Sequence, residues 1–294
     1  MYRGTFTALV TPFLADGSVD EASFQKLVDF QFDNGITGIV PVGTTGESPT
    51  LSYDEHKHVI RLAVDAARGR GPVIGGTGAN STDEAIELTA AAEAAGCEAV
   101  LQVAPYYNKP SAEGLFRHFK AVADSTRCNI ILYSVPGRCG IDIPVEVTGR
   151  LAAACPNVVC LKEAGGSVER VNQLMAASLP DHFTILSGDD SLTLPFISVG
   201  ATGVISVASN LIPRQMSDLV KAALANDLPA ARALHLQYYP LLSTLMKLDS
   251  NPVPVKAAMA IAGHMAGGLR LPMISMGPDK IHELRGVMAG LNVF

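Results

Sequence analysis

The feature that most constrains the fold is a regular alternation of short apolar runs with longer segments of helical character. Most of the runs are apolar throughout rather than alternately apolar and polar, which is typical of parallel strands buried on both faces. We predict eight such strands, over residues 5–10, 38–43, 72–78, 99–105, 129–135, 158–163, 183–188 and 202–208.

The segments between the runs carry signals for helix starts. Three of them begin with a serine followed three residues later by a glutamate, the pattern of a capping box, at residues 18–21, 52–55 and 81–84. Eight strand–helix units without a long linker predict an α/β fold, a (β/α)8 TIM barrel. A doubly wound open sheet is the alternative.

The pattern changes after about residue 226, where three helical segments follow one another with no strand between them. The last barrel helix is predicted near residues 213–225. We therefore expect a catalytic barrel domain over residues 1–225 and a small C-terminal helical extension over residues 226–294. The length of 294 residues suits a single barrel with such an addition.

Composition excludes several classes of protein. The net charge of −6 and the pI near 5.6 disfavour a nucleic-acid binder, which would present a basic face. No uninterrupted apolar stretch is long enough to span a membrane, and the N-terminus lacks the pattern of a signal peptide. The five cysteines form no CxxC motif, so we expect reduced thiols and a cytoplasmic location.

Polar side chains follow the predicted strands at the end where TIM barrels carry their chemistry. The segment VVCLKEAGG (158–166) ends a buried strand in Lys162, and the strand before it ends near Tyr133 and Arg138. Further polar ends are GTTGES (43–48), GGTGAN (75–80), PYY (105–107) and SGDD (187–190).

A lysine in this setting suits imine chemistry. Its amine attacks a ketone only when neutral, so its pKa must fall from about 10.4 through burial and nearby positive charge. Arg138 supplies such a charge and offers a planar fork for a substrate carboxylate. Tyr133 can shuttle protons at the imine, and threonine hydroxyls can relay protons or orient the tyrosine.

Other interpretations of these motifs remain open at this point. The lysine could be a structural residue where a strand surfaces. The glycine-rich ends lack the spacings of nucleotide-binding loops, which disfavours nucleotide binding. Glu47, Asp189 and Asp190 could hold a divalent ion, but no histidine lies at a predicted strand end to complete such a site, and the two aspartates also suit a helix cap.

Taken together, the strand ends resemble those of the dihydrodipicolinate synthase family, among the pyruvate-dependent lyases that include N-acetylneuraminate lyase. The resemblance covers essentially the whole chain, and seven motifs in the same order carry it. They are GTTGES, PYYNKPS, LYSVPGR, LKEA, SGDD, GVISV and NPVPVK.

The resemblance implies a condensation of pyruvate with L-aspartate 4-semialdehyde, without a metal or an organic cofactor. It implies Lys162 as the Schiff-base lysine and Tyr133 as the general acid and base, in a proton relay with Thr45 and Tyr107. Tyr107 would reach in from a neighbouring subunit, in a dimer of dimers. The implied substrate-binding residues are Thr44, Thr45, Arg138, Ile205, Gly188 and Asp189.

An effector site for L-lysine is also implied. The matching positions are Ser48, His56, Asn80, Glu84 and Tyr106, with Tyr53 where some members have histidine. The chain departs from the family pattern LYNVPGRTG at Ser134 and Cys139, which bears on the preference for the second substrate. The alternatives are a related lyase acting on a sugar acid or another keto acid, and a barrel that has lost catalysis and serves as a metabolite-sensing or interaction protein.

Overall fold

The chain folds into a closed barrel of eight parallel strands. The computed structural model describes residues 1–294. Around the sheet the strand order is β2-β1-β8-β7-β6-β5-β4-β3, and a parallel bridge between Ile39 and Val73 joins β2 to β3. The predicted TIM barrel is confirmed, and the open sheet is wrong. The strands are β1 (Gly4–Ala8), β2 (Gly38–Val40), β3 (Ile74–Gly76), β4 (Ala99–Val103), β5 (Asn129–Ser134), β6 (Val158–Glu163), β7 (Thr184–Ser187) and β8 (Gly203–Ser206).

The strands end before the predicted apolar runs do, everywhere except at β6. Apolar residues continue past the last strand residue because the connecting loops are themselves buried at the barrel mouth. Leu9 and Val10, just beyond β1, are fully buried without being strand residues. Periodicity cannot separate such loops from strands, and most of the polar ends therefore lie in loops.

Helices alternate with the strands, and all of them except one four-residue helix at the barrel mouth cover the outside of the barrel. They are α1 (Glu21–Asp33), α2 (Tyr53–Ala67), α3 (Thr82–Ala95), α4 (Ala112–Asp124), α5 (Pro136–Cys139), α6 (Val145–Ala154), α7 (Val168–Ala176), α8 (Thr193–Ser198) and α9 (Pro213–Leu224). Short 3₁₀ turns span Ser48–Thr50, Asp190–Leu192 and Ala208–Asn210.

Of the three predicted capping boxes, the structure contains one in complete form. Ser52 and Glu55 form a complete box at the start of α2. The box proposed at Ser18 is wrong, because the Asp20 side chain caps α1 instead. Ser81 occupies the N-cap of α3 but makes no side-chain capping bond.

Three helices follow the barrel, as the sequence indicates. They are α10 (Leu228–Lys247), α11 (Val253–Ile261) and α12 (Pro278–Gly290). None of the helices combines the length and the apolar character needed to cross a membrane. The α10–α11 connection and α11 lie against the barrel mouth, where Lys256 donates a hydrogen bond to the carbonyl oxygen of Thr11 at 2.8 Å. The division of the chain at residue 225 stays a prediction.

Candidate active site

The register of two neighbouring strands brings Tyr133 and Lys162 together. In the β5–β6 pair, Tyr133 lies directly opposite Lys162. Side chains at paired positions of parallel strands point to the same face of a sheet. Lys162 Nζ accordingly lies 4.1 Å from the centre of the Tyr133 ring, and both residues are buried.

The environment of Lys162 keeps its amine reactive. Burial lowers the pKa of Lys162, the carboxylate of Asp190 opposes the shift and the positive charge of Arg138 adds to it, and the net pKa is about 7. A lysine with this pKa is about half neutral at pH 7, so a large share of it is in the form that acts as a nucleophile. The next residue has a different role, because Glu163 is paired with Arg170 through a contact of 2.7 Å between Oε2 and Nε.

Gly188, after β7, provides the space that the lysine occupies. A Cβ atom at this position would lie 3.0 Å from Lys162 Cε and 2.6 Å from the Cβ of Ala164. Both distances are shorter than normal carbon contacts. The glycine therefore adjoins the lysine stem, and its predicted contact with substrate stays a prediction.

The two aspartates after Gly188 have separate roles. Asp189 accepts a hydrogen bond from the backbone N–H of Ser191 at 3.0 Å, so the helix-cap interpretation is confirmed for Asp189. Its predicted role in substrate binding stays untested. Asp190 is buried, and its Oδ2 accepts from the N–H groups of Val207 and Ala208 at 2.9 and 2.8 Å.

Asp190 is a residue that sequence reasoning missed as a part of this site. Burial raises the pKa of Asp190 to about 6, and its charge acts on Lys162. The aspartate pair itself is the one sequence signal for it. The neighbouring sequence does not show that Asp189 is the helix cap and that Asp190 is the carboxylate that acts on Lys162.

The two threonines after β2 contact different partners. Burial raises the pKa of Tyr133 to about 12, while the charge of Arg138 and a hydrogen bond with the Thr44 side chain oppose the shift. Thr45 instead accepts a hydrogen bond from Asn251 Nδ2, at 3.0 Å from Oγ1. Thr44 is therefore the threonine bonded to Tyr133, and the part of Thr45 in the relay stays a prediction.

Arg138 sits in the short helix α5, just beyond β5. Its Nη2 donates to the backbone carbonyl oxygen of Asn251 at 3.0 Å. Together with Thr44 it lines a cavity of about 450 Å³. Asn251 was missed as a site residue, although the sequence motif NPVPVK begins with it.

The same cavity extends toward the residues of the implied effector site. Ser48, His56, Glu84 and Tyr106 line it, and so does Tyr53. Asn80 is not among the lining residues, but its Nδ2 donates to the carbonyl oxygen of Tyr106 at 3.1 Å. His56 Nε2 lies 2.7 Å from the carbonyl oxygen of Gly76, which fixes that nitrogen as a donor.

The remaining predicted residues are placed as follows. Tyr107 is 91% exposed and has a positive φ of 73°, so it points away from its own barrel. Its part in the relay stays a prediction. Ile205 lies fully buried in β8, paired with Phe6 of β1, and its contact with substrate is likewise untested.

The loop that carries the threonines is held in a strained conformation. Val42 and Glu47, on either side of it, both have φ of 56°, in the left-handed region that a β-branched residue such as valine rarely adopts. Glu47 Oε1 pairs with Lys256 Nζ at 2.5 Å, and both side chains are buried. Helix α11 thus anchors the loop.

The fold and the site define a class of protein. A TIM barrel with a buried lysine of lowered pKa at a strand end, beside a tyrosine and an arginine, is typical of lyases that activate a ketone as a lysine imine.

Comparison with known proteins identifies the family. The model of the Dihydrodipicolinate synthetase family matches residues 1–289, and the chain belongs to this family. It is similar to the 4-hydroxy-tetrahydrodipicolinate synthase of Methylacidiphilum fumariolicum SolV, with 51% identity and a TM-score of 0.97 over 99% of this chain and 96% of that one.

Two further solved structures carry bound molecules. The chloride-inhibited dihydrodipicolinate synthase of Acinetobacter baumannii, complexed with pyruvate, is 42% identical, with a TM-score of 0.97 and full coverage of both chains (100% each). The lysine-bound dihydrodipicolinate synthase of Cyanidioschyzon merolae is 38% identical, with a TM-score of 0.96 over 100% of this chain and 99% of that one.

Proposed function

We propose that this protein condenses pyruvate with L-aspartate 4-semialdehyde to 4-hydroxy-tetrahydrodipicolinate, in the biosynthesis of lysine and diaminopimelate. The observation that carries the proposal is the buried Lys162 amine, with its pKa near 7, against the Tyr133 ring. Membership of the family supports the choice of reaction.

The chemistry follows from the amine. Neutral Lys162 attacks the ketone carbon of pyruvate, and loss of water gives the imine. Loss of a methyl proton gives an enamine, whose carbon attacks the aldehyde of the second substrate. The amine of that substrate then adds to the imine carbon, closes the ring and releases Lys162. Tyr133, beside the imine, moves the protons.

The carboxylates of the substrates need separate partners. Thr44 and Thr45 would hold the pyruvate carboxylate, next to the lysine. Arg138, which lines the cavity, would hold the carboxylate of the second substrate through its planar fork. The proton relay from Tyr133 would run through Thr44 to Tyr107 of a neighbouring subunit.

The exposed Tyr107 supports a dimer in which each subunit completes the site of the other, and we propose that two dimers pair as a tetramer. We also propose a cytoplasmic location, since all five cysteines are free and buried. Sedimentation of the purified chain tests the assembly.

The direct test of the activity is turnover. Pyruvate consumption is measured with L-aspartate 4-semialdehyde and with a panel of other partners, including sugar-acid aldehydes and a hydroxyproline-derived keto acid. Preference for the semialdehyde supports the proposal, and preference for another partner replaces it with the related lyase. Absence of any borohydride-trapped pyruvate adduct would favour a barrel that has lost catalysis and serves as a metabolite-sensing or interaction protein.

Formation of the pyruvate adduct is expected to depend on pH through Lys162. Its folded pKa is lowered to about 7, so the neutral fraction falls about tenfold per pH unit below 7 and saturates above it. Borohydride trapping after millisecond mixing, from pH 5.5 to 9, measures the rate. A rate that keeps rising beyond pH 9 would mean that the lysine is solvated rather than buried.

We further propose that L-lysine binds the part of the cavity between Ser48 and Tyr106 and inhibits the enzyme. Glu84 offers a carboxylate to the lysine ammonium, and Tyr53 and His56 surround it with polar groups. The lysine-bound relative supports this proposal. The cavity also reaches Arg138, so an occupant here can act on the residue that holds the second substrate.

Lysine titration tests this effector site. We expect wild-type turnover to fall severalfold at millimolar L-lysine, and E84Q to need about tenfold more lysine because the charge-assisted contact is lost. E87Q, one helical turn along α3 on an exposed residue, is the matched control and should respond like wild type. A wild-type rate that is unchanged at millimolar lysine would reject the site.

A further inference from the structure

Asn251 connects the two carboxylate-binding groups of the proposed site. It lies in the connection between α10 and α11, at the barrel mouth, and is buried. Its side-chain Nδ2 donates to Thr45 Oγ1 at 3.0 Å, and its backbone oxygen accepts from Arg138 Nη2 at 3.0 Å. The side chain and the main chain of one residue therefore serve different groups.

The direction of the bond to Thr45 determines what that hydroxyl can do. A threonine hydroxyl has one hydrogen to donate and lone pairs to accept with. Because Asn251 Nδ2 can only donate, it occupies a lone pair of Thr45 Oγ1 and leaves the hydrogen free. Asn251 Oδ1 is buried without a protein partner, so the bond to Thr45 is the one that orients this amide.

We propose that Asn251 is a positioning residue that fixes the direction of the Thr45 hydroxyl, so that its hydrogen is offered to the carboxylate of pyruvate. A carboxylate accepts hydrogen bonds and cannot donate them, which makes a committed donor the useful partner. This inference rests on the proposed function, because it takes pyruvate as the first substrate.

Two substitutions separate this role from a structural one. N251D keeps the shape of the side chain but reverses its hydrogen bond with Thr45, since a carboxylate accepts the hydrogen of the Thr45 hydroxyl. The new negative charge also repels the carboxylate of pyruvate. N251A removes the bond and leaves the hydroxyl free to rotate. The positioning role predicts that N251D is the more harmful change, whereas a role in packing predicts that N251A is.

The measurement is the pyruvate concentration that gives half-maximal borohydride-trapped adduct. We expect this concentration to rise about 5-fold in N251A, which loses one neutral hydrogen bond. In N251D we expect a rise of about 30-fold or more, because the new carboxylate takes the Thr45 hydrogen and repels the pyruvate carboxylate. The backbone oxygen is retained, so KM for the semialdehyde should change by less than about 2-fold. Exposed N226D, with the same change of charge, should match wild type in both.

A double-mutant cycle with T45V identifies the route of the effect. If Asn251 acts through Thr45, N251A adds nothing to T45V, and the cost of N251D shrinks when T45V is present. Equal costs with and without T45V, or a larger cost in N251A than in N251D, would overturn the proposal. Thermal unfolding of each variant shows that the folded enzyme is compared.

The measurement on the wild type separates the proposed function from the proposed role of Asn251. A pyruvate adduct in the wild type supports the proposed function, and the variants then decide the role of Asn251. If the wild type forms no adduct, the proposed first substrate is rejected and this inference falls with it.

Discussion

Replacing Lys162 by alanine is expected to lower pyruvate turnover by about five orders of magnitude, to the detection limit. The proposed reaction runs through a covalent bond to Nζ, and the loss of a covalent nucleophile has costs of this size. The other buried amine, that of Lys256, is paired with Glu47. Steady-state turnover and mass spectrometry of the borohydride-treated protein measure the two consequences.

The variant should lose activity without losing its fold. Burying the amine lowers its pKa, which means that the charged form is penalised in the folded protein, so its removal does not cost an attractive ion pair. K26A, at an exposed lysine of α1, is the matched control and should retain full activity. A trapped adduct that persists in K162A would assign the nucleophile to another residue.

The second large effect is expected for Tyr133→Phe, which should lower kcat by about 10²–10³-fold, the usual worth of a positioned acid and base. The ring stays against Lys162 Nζ, so adduct formation should suffer less than the later proton transfers. Single-turnover trapping, compared with steady-state kcat, separates these steps. Equal losses in both would show that the hydroxyl acts at imine formation alone.

A second buried tyrosine provides the control. Tyr2 lies at the opposite end of the barrel, where its hydroxyl donates to Glu98 at 3.1 Å. Y2F removes a buried tyrosine hydroxyl far from the strand ends. It should lower the free energy of unfolding by about 1 kcal/mol and leave kcat unchanged. A loss of kcat in Y2F comparable to that in Y133F would show that the loss in Y133F comes from lower stability of the fold rather than from proton transfer.

The barrel and the core of the site were predictable because both depend on local patterns. Continuous apolar runs define parallel strands, and consecutive units of a barrel pair with one another. Tyr133 and Lys162 end consecutive strands, so barrel closure alone makes them neighbours. The choice of the reaction needed more than these patterns, and it came from seven motifs in the family order.

The parts that could not be predicted depend on contacts between distant segments. Asn251 meets Thr45 across 206 positions of the chain, and Lys256 meets Glu47 across 209. These contacts depend on how α11 docks on the barrel mouth, which no periodicity records. The bond between Thr44 and Tyr133 was missed for a related reason, since the two adjacent threonines have different partners and the sequence does not show which partner belongs to which.

The departures from the family pattern also gain a physical account. Ser134 is fully buried, and its hydroxyl accepts a hydrogen bond from the N–H of Ile143 at 3.2 Å, so it serves the backbone beyond α5. Cys139 follows Arg138 and lines the cavity, and burial raises the pKa of its thiol to about 11. A neutral thiol there changes the shape of the pocket and leaves its charge alone.

The anchoring of the barrel mouth by the α10–α11 connection has a consequence for biosynthesis. When residues 1–225 have been synthesised and have left the ribosome, every strand and every barrel helix is present, together with Lys162, Tyr133 and both threonines. Two residues of the barrel mouth are not yet translated at that point. They are Asn251, which bonds Thr45 and Arg138, and Lys256, which pairs with Glu47. With the proposed site, catalytic competence would therefore be acquired at the end of synthesis, after the segment that bears Lys162 has had time to fold.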